Sequence, residues 1–290
     1  WAGQSQWRVL EAAWGGGQSF LRSWAGWLAD AKRPRLLHFV ALSAEAATAE
    51  AVLRAAARHP ELQSLAKALA EQCWGLLPGV HRLRFEGGRV LLTLGIGDAP
   101  TLLREQAWTV DSIFLSGGVA AQWVQQAQAH ALKALARCCR RGTRLVADGP
   151  AAAGGAALAQ CGFQMDAAPD SSPKPSPKPA LLRARFDPDW EPRGPRANAQ
   201  PTRPMRCVVI GAGVAGAACA ASLTRRGWQV QVLDAGAAPA AGASSLPVGV
   251  FAPHLSPDDN LFSRVSRSGV RAMLQQCGEL LRAGVDWCAS

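Results

Sequence analysis

A glycine-rich turn that follows a short apolar strand constrains this chain more than any other feature of its sequence. The strand is Cys207 to Ile210, and the turn carries Gly211, Gly213 and Gly216 in the spacing G-x-G-x-x-G. In a βαβ unit the first glycine allows a tight turn, the second lets the backbone approach a pyrophosphate, and the third lets helix and strand pack closely. Because N–H groups and the helix dipole favour an anion at a helix N-terminus, the spacing predicts a dinucleotide-binding unit.

The residues after the turn support the same prediction. A helix of small residues is predicted from Val214 to about Arg226, and a second strand, Gln229 to Leu233, ends at Asp234. Asp234 stands 18 residues after Gly216, close to the roughly 20 expected for an acid that binds ribose hydroxyls. The alternatives are a buried hydrophobic helix or a membrane span, since residues 207–224 carry no charge. That run is rich in Gly and Ala and lies at the short end of the roughly 17–25 residues that a span needs, which favours an interior βα unit.

Composition limits the class of protein. The 290 residues are enough for two domains, at roughly 100–200 residues each. Hydrophobic residues make up 49% of the chain and charged residues 18%, which is typical of a globular soluble protein. The net charge of +10 indicates an acidic partner such as nucleic acid, although a genome rich in G and C gives the same excess of Arg.

The eight cysteines are scattered, form no C-x-x-C pair and often lie in apolar runs. This pattern favours buried thiols in the reducing cytosol over disulfides or a zinc site. We therefore expect a cytoplasmic protein that binds neither a metal ion nor a membrane. The chain begins at Trp1 and ends at Ser290, soon after Asp234. That leaves too few residues to close the second sheet, so we expect an internal fragment of a longer protein.

Strands and helices alternate through the first half of the chain, which is typical of a parallel, doubly wound sheet. Two alternating runs around the Gly-Gly of residues 87–88 predict a hairpin, and a long helix is predicted over Ala120 to Cys139. The predicted strands are Trp7 to Glu11, Arg35 to Leu42, His81 to Phe85, Val90 to Leu94, Asp111 to Leu115 and Thr143 to Ala147.

A proline-rich stretch separates this region from the glycine-rich turn. Ten of the 19 prolines fall between Pro169 and Pro204, and such a stretch behaves as an extended linker. One strand-like segment, Ala180 to Phe186, interrupts it and is predicted to return to the edge of the first sheet. The sequence therefore predicts an α/β fold with two Rossmann-like doubly wound domains joined by a Pro-rich linker, the second domain being truncated. The predicted boundaries are 1–168, 169–204 and 205–290.

The loop after the first strand suggests a second nucleotide site. Glu11 to Gly17 lies where a methyltransferase-type Rossmann domain places its S-adenosylmethionine loop, and Gly15 and Gly17 let a cofactor lie across the backbone. Asp98, after the hairpin, is a candidate contact for the adenine. Ser116 stands where a catalytic carboxylate is expected, directly after the strand Asp111 to Leu115. A plain glycine-rich loop explains residues 15–17 almost as well as a working site.

Both halves and their order resemble one family, the bacterial bifunctional tRNA wobble-uridine modification enzymes of 5-methylaminomethyl-2-thiouridine biosynthesis. The resemblance spans nearly all of the chain. It is carried by Leu77 to Asp98 (LPGVHRLRFEGGRVLLTLGIGD), by the DSIFL strand at Asp111 to Leu115, and by Arg225 to Asn260. The last segment has the family's basic-Gly-Trp-Gln-Val pattern and its Gly-Ala-Ser at Gly242 to Ser244.

The resemblance implies two reactions on uridine 34 of certain tRNAs. An FAD-dependent oxidoreductase removes the carboxymethyl group from a carboxymethylaminomethyl substituent, and an S-adenosylmethionine-dependent methyltransferase then methylates the amine. The implied FAD-binding residues are Gly211, Gly213, Gly216, Asp234, Ser244, Ser245 and Gly249. The implied S-adenosylmethionine-binding residues are Glu11, Gly15, Gly17 and Asp98.

The methyltransferase half departs from the family pattern. Ala13 replaces the first glycine of the loop, Ser43 stands at the strand-two acid, and Ser116 to Gly118 replace Asp-Gly-Phe. Loss of a carboxylate that would bind or deprotonate the amine predicts weak or absent methyl transfer. Two further alternatives stay open: an FAD-dependent oxidase of small amines or amino acids, and a non-catalytic first domain that only binds tRNA.

Overall fold

A computed structural model describes residues 1–106, 108–116, 123, 129–148, 151–166, 181–191 and 204–288. The chain divides into two compact units. The first unit comprises residues 1–83 and 90–199, and the second comprises residues 84–89 and 200–290. Most of the Pro-rich stretch, residues 117–122 and Gln200 to Arg203 lie outside the described residues.

The first unit is built on an eight-stranded sheet in the order β3-β4-β2-β1-β5-β6-β8-β7. Its strands are β1 Gln6–Glu11, β2 Leu36–Ser43, β3 Gly79–Phe85, β4 Val90–Ile96, β5 Val110–Leu115, β6 Cys139–Asp148, β7 Phe163–Met165 and β8 Leu181–Phe186. Its described helices are α1 Gln18–Ala29, α2 Ala49–Ala56, α3 Gln63–Ala70, α4 Ala99–Glu105, α5 Ala129–Ala136 and α6 Ala151–Gln160.

The strand order reverses at β1, whose parallel neighbours are β2 on one side and β5 on the other. In open α/β sheets a ligand binds in the crevice at such a switch point, outside the carboxyl ends of the strands. The α/β, doubly wound fold predicted for this half is confirmed. The crevice is bordered by the residues that follow β1, β2, β4 and β5.

Aromatic side chains fix α1 on one face of the sheet. Phe20 and Trp27 are fully buried, and the ring of Phe20 lies edge-on to Phe39 of β2 at 5.5 Å between centroids. The indole N–H of Trp27 donates to the carbonyl of Pro34 at 2.8 Å, so this large side chain is buried without an unsatisfied donor. The N-terminus of α1 is thereby held beside the crevice.

The strand Leu181–Phe186 was predicted at the edge of the first sheet, but it lies inside the sheet, between β6 and β7. It pairs antiparallel with β6 on one side and with the three-residue β7 on the other. Phe186 packs edge-on against Phe163 of β7 at 5.3 Å between ring centroids. Because β7 has only three residues, the alternation of apolar and polar side chains is too short to indicate a strand, and β7 was not predicted.

The predicted helix over residues 120–139 is wrong at its C-terminal end, since the described helix α5 ends at Ala136 and Cys139 already belongs to β6. Residues 137–138 form a turn, and the N–H of Val110 donates to the carbonyl of Cys138 at 2.9 Å. The Thr143 hydroxyl donates to the carbonyl of Val110 at 2.7 Å. Tertiary hydrogen bonds to β5 therefore override the helical propensity of the segment.

A buried carboxylate joins the amino ends of β1, β5 and β6. Asp111 is 7% exposed, accepts the backbone N–H of Arg8 at 2.8 Å and forms an ion pair with Arg140. Burial lowers the pKa of Arg8, which the nearby Asp111 partly offsets. The carboxylate thus compensates buried positive charge contributed by two strands.

The second unit contains a parallel strand pair, β9 Arg206–Ile210 and β10 Gln229–Leu233, connected by α7 Val214–Arg225. These bounds confirm the βαβ unit predicted from the glycine spacing. A further helix, α8 Leu261–Leu280, is capped by Asn260, whose side chain accepts the N–H of Ser263 at 3.0 Å. Parallel sheets are ordinarily covered on both faces, whereas Ile210 is 88% exposed here.

Candidate functional site

The crevice of the first unit brings together two residues that lie 105 positions apart. Glu11, the last residue of β1, is 1% exposed, and its carboxylate accepts the hydroxyl of Ser116 at 3.3 Å. Ser116 directly follows β5, and the adjacent N–H of Ala12 donates to the carbonyl of Phe114 at 3.1 Å. The switch point therefore holds a buried acid next to the position where the sequence lacks the expected second carboxylate.

The three glycines after β1 all have left-handed backbones, with φ of 52°, 75° and 86° at Gly15, Gly16 and Gly17. A Cβ at Gly17 would lie 2.7 Å from the ring of Trp14. A Cβ at Gly15 would meet no atom within 4 Å. Gly17 is therefore needed for packing, while Gly15 leaves an open approach to the backbone.

Trp14 is a candidate site residue that the sequence analysis missed. It is 5% exposed, and its indole nitrogen is buried without a hydrogen-bond partner among the residues that the structure describes. An aromatic residue directly before a glycine run at a strand end is the signal that marks it. With the acceptor oxygens of Glu11 and the open backbone at Gly15, this donor makes the crevice fit S-adenosylmethionine, which has amino and hydroxyl donors, ring acceptors and an apolar thioether chain.

Asp98 lies at the same edge of the sheet but caps a helix. Its carboxylate accepts the N–H of Thr101 at 2.9 Å and the hydroxyl of Thr101 at 2.6 Å, and these hydrogen bonds lower its pKa. The N–H of Gly97 donates to the carbonyl of Ser43 at 2.8 Å. Asp98 therefore caps α4, while the Gly97 N–H holds the loop after β4 against the end of β2. Contact of Asp98 with a cofactor stays a prediction.

Replacing Asp98 by alanine is expected to lower the free energy of unfolding of the first unit by about 1 kcal/mol, since an N-cap is lost. Asp98→Ser keeps a cap that does not titrate. Because the folded pKa of Asp98 is lowered, its extra stabilisation is present above the ordinary carboxyl pKa of roughly 3.9 and is lost as pH falls through the folded value. Urea unfolding at pH 7, 5 and 3 should show wild type losing stability relative to Asp98→Ser only at the lowest pH; a constant difference would contradict this.

A cavity of about 330 Å³ opens beside Ser116 on the face that α1 covers. Its wall is formed by side chains of α1 and by the carboxyl ends of β5 and β6 together with the start of β8. The residues that line it include Ser19, Arg22, Phe114, Ser116, Val146 and Leu181. The cavity wall contains an aromatic ring, hydroxyl groups and a guanidinium. These groups are suited to binding a polar ring that has an anionic group next to it.

The second unit carries the other candidate site at the turn between β9 and α7. Gly211 has φ of 101°, and a Cβ on Gly216 would lie 1.8 Å from the Gly211 carbonyl oxygen. A Cβ on Gly213 would lie 3.3 Å from the Ser244 hydroxyl oxygen. The turn is therefore built for glycine at its first and third positions, as the G-x-G-x-x-G interpretation requires.

Asp234 lies at the rim of this turn. Its carboxylate accepts the N–H of Ala212 at 2.6 Å and the N–H of Gly236 at 2.7 Å, and these backbone hydrogen bonds lower its pKa. Each carboxylate oxygen has two lone pairs, so both keep capacity for a ribose hydroxyl. The acid is thus brought to the glycine turn across 22 residues.

The three remaining predicted residues differ in position. The Ser244 hydroxyl accepts the N–H of Val214, the first residue of α7, at 3.3 Å. The Ser245 hydroxyl donates to the carbonyl of Gly242 at 2.8 Å, so it closes its own turn. Gly249 lies in an exposed segment without regular structure. The structure therefore brings Ser244 to the turn and leaves the roles of Ser245 and Gly249 as predictions.

These residues fit FAD. The helix N-terminus, the close glycine turn and the acid at its rim match what a dinucleotide pyrophosphate and ribose need. Among the described residues, no cluster of three His, Cys, Asp or Glu is placed to hold a metal ion. Within the same residues, no helix is both long and apolar enough for a membrane span.

Comparison with known proteins assigns both regions to families. Residues 206–289 match the FAD dependent oxidoreductase family. Residues 60–176 match a family of S-adenosyl-L-methionine-dependent methyltransferases. A solved structure, MNMC2 from Aquifex aeolicus, is similar with a TM-score of 0.47 and 14% identity, over 66% of this chain and 57% of that chain.

Curated relatives match along almost the whole chain. The tRNA 5-methylaminomethyl-2-thiouridine biosynthesis bifunctional protein MnmC of Polaromonas naphthalenivorans is 54% identical over 99% of this chain and 44% of its own length. The protein of the same name from Paracidovorax citrulli is 54% identical over 100% of this chain and 46% of its own. The chain thus spans a little under half the length of these relatives. One region of the chain matches a methyltransferase family and another matches an FAD dependent oxidoreductase family, and the chain is similar along almost its whole length to these bifunctional proteins.

Proposed function

We propose that the chain is part of a bifunctional, cytoplasmic enzyme that modifies uridine 34 of tRNA. The first step removes the carboxymethyl group of 5-carboxymethylaminomethyl-(2-thio)uridine with FAD, and the second methylates the exposed amine with S-adenosylmethionine. The observation that carries the proposal is 54% identity to a bifunctional protein of this biosynthesis, across both regions and in the same order.

The second unit is proposed to hold FAD through the turn between β9 and α7. FAD supplies the oxidation of the C–N bond, as flavins accept a hydride from carbon next to nitrogen. The chain's own contribution is positioning: Gly211 and Gly216 shape the turn, the N-terminus of α7 faces the pyrophosphate, and Asp234 binds the ribose. Ser244 is proposed to lie next to the phosphates at the same turn.

The first unit is proposed to hold S-adenosylmethionine across Glu11, Trp14 and Gly15, with the uridine in the adjacent cavity. Methyl transfer requires an amine with a free lone pair in line with the methyl group. Ser116 is a hydroxyl at the place where the family pattern supplies a carboxylate, and it donates to Glu11 rather than accepting a proton. This hydrogen bond holds the Glu11 carboxylate in place, but position 116 supplies no general base for the amine.

Nucleoside analysis of tRNA tests the proposal. Deleting the reading frame that contains this chain should make uridine 34 accumulate with its carboxymethylaminomethyl group intact, while other tRNA modifications are unchanged. Restoring the full frame should remove the carboxymethyl group again and return the aminomethyl nucleoside, with the methylaminomethyl product formed only at the slow rate expected for methyl transfer. An unchanged nucleoside profile after deletion would reject the proposed function.

We expect the chain to transfer methyl groups at least about 100-fold more slowly than a relative with aspartate at this position, the lower end of general-base contributions. Incorporation of labelled methyl groups into aminomethyl-uridine tRNA measures the rate. Ser116→Asp should raise it at least tenfold, limited by the new carboxylate's repulsion of Glu11. The matched control Ser116→Asn has the same shape without a base and should stay slow. Wild-type turnover near that of the relative would contradict the prediction.

A second candidate is an FAD-dependent amine or amino-acid oxidase-like protein whose first unit binds tRNA without catalysis. The observation in its favour is the serine at position 116. It predicts that FAD reduction by small amines needs no tRNA, whereas the main proposal predicts reduction only by carboxymethylaminomethyl-uridine tRNA. Anaerobic bleaching of the flavin in the full-length protein separates the two.

A further inference from the structure

Three arginines form a strip on one face of the β6–β8 strand pair. Arg144 of β6 lies directly opposite Arg185 of β8, and Arg183 lies two residues before Arg185 on the same face. All three side chains are exposed. Side chains two residues apart on a strand are about 7 Å from each other. We call Arg144, Arg183 and Arg185 the arginine strip.

The strip concentrates positive charge that the chain itself balances only in part. Like charges directly opposite each other in an antiparallel pair destabilise it. Arg185 is paired with Asp187 at 2.9 Å, but the same carboxylate is shared with Arg141 at 3.0 Å. Arg144 and Arg183 form no ion pair with any residue for which the structure gives a position. An anionic partner that covers such a cluster would offset this repulsion.

The strip continues into the cavity beside Ser116. Val146 lines the cavity and lies directly opposite Arg183 in the strand pair. Arg144 lies two residues before Val146 on the same face, and Leu181, two residues before Arg183, lines the cavity too. Positive charge therefore leads along the sheet face to a cavity whose wall contains Phe114, hydroxyl groups and Arg22.

We propose that the arginine strip binds the phosphate backbone of RNA next to the nucleotide whose base enters this cavity. The inference rests on the proposed function and adds the surface through which the first unit contacts tRNA. Guanidinium groups pair well with phosphate oxygens, and single-stranded RNA segments are recognised by splayed bases beside aromatic rings. An anionic membrane is disfavoured as the partner, because the charge leads into a cavity of nucleotide size.

The test measures tRNA affinity of the 290-residue chain against salt concentration. Each phosphate contact contributes roughly 0.7–0.9 to the slope of log K against log salt. The double variant Arg144→Gln/Arg183→Gln should lower the slope by about 1.4–1.8 and weaken binding about 25- to 60-fold at 0.1 M salt. The matched control Arg54→Gln/Arg58→Gln removes the same two charges from exposed sites in and just after α2 and should leave the slope unchanged.

The melting temperature and binding to lipid vesicles separate a loss of tRNA binding from a loss of folding or from binding to another anionic partner. Because the double variant relieves like-charge repulsion, its melting temperature should equal or slightly exceed that of wild type. If wild type binds tRNA and the double variant keeps its slope, the strip is rejected while the proposed function stands. Tighter binding to phosphatidylglycerol vesicles than to tRNA would also reject the strip. A normal nucleoside profile after gene deletion would instead reject the proposed function, whatever the strip binds.

Discussion

Replacing Gly216 by alanine will disrupt the turn between β9 and α7 and abolish FAD binding there. An added Cβ would lie 1.8 Å from the carbonyl oxygen of Gly211, a separation at which one of the two backbones has to move. The movement separates helix and strand at the point where they pack most closely. Hydrogen exchange of the amides in residues 206–216 should become faster, and quenching of flavin fluorescence by the chain should be lost.

The matched control is Gly269→Ala, in the interior of α8. A Cβ there meets no atom within 4 Å, so alanine should be neutral or stabilise the helix by up to about 1 kcal/mol. Exchange in residues 206–216 should be unchanged in this variant. If Gly216→Ala shows the same exchange as wild type, the close approach described for the turn is incorrect.

Removing the carboxylate of Asp111 is expected to destabilise the first unit strongly, because it leaves the partly buried guanidinium of Arg140 without its partner. Breaking a buried pair costs about 3–5 kcal/mol. Because Arg140 is 28% exposed, we expect roughly 2–4 kcal/mol for Asp111→Ala. In a unit of this size that lowers the melting temperature by roughly 4–16 °C, measured by circular dichroism.

Asp187→Ala provides the comparison, since Asp187 also bridges two arginines but does so at the surface. Exposed ion pairs contribute about 0–1 kcal/mol, so its melting temperature should change little. Equal losses in the two variants would mean that burial of Asp111 does not matter. The double variant Asp111→Ala/Arg140→Ala should recover part of the loss, because no uncompensated guanidinium remains at that position.

The sequence was sufficient for features that depend on local patterns. The turn at Gly211, the helix α7 and the strand Gln229–Leu233 follow from glycine spacing and the change of hydrophobic period, and the structure reproduces them almost to the residue. Most strands of the first half were predictable because they contain a short apolar run or, as in β3, an alternation of apolar and polar residues. The helix α6 was missed because Ala and Gly dominate Ala151–Gln160, which leaves no amphipathic pattern.

Features that depend on distant contacts could not be predicted. The hydrogen bond between Glu11 and Ser116 joins residues 105 positions apart, and only the strand order places them together. The boundary at Cys139 depends on hydrogen bonds to β5. Trp14 becomes a candidate only when its buried indole nitrogen is seen. Spacing identified Asp234, and position at or just after the end of a strand identified Glu11 and Asp98; the hydrogen bonds from Thr101 that engage Asp98 as a helix cap are seen only in the structure.

The place of β8 in the sheet has a consequence for synthesis on the ribosome. The strand that pairs with β6 is made about 30 residues after β6 ends, on the far side of a proline-rich stretch. At roughly 5–20 residues per second, the edge of β6 stays unpaired for roughly 2–6 s after it emerges. During that interval the unpaired N–H and C=O groups of this strand edge can associate with other chains. The first unit is therefore expected to need chaperone protection until Phe186 has left the exit tunnel, even though most of its sheet is already complete.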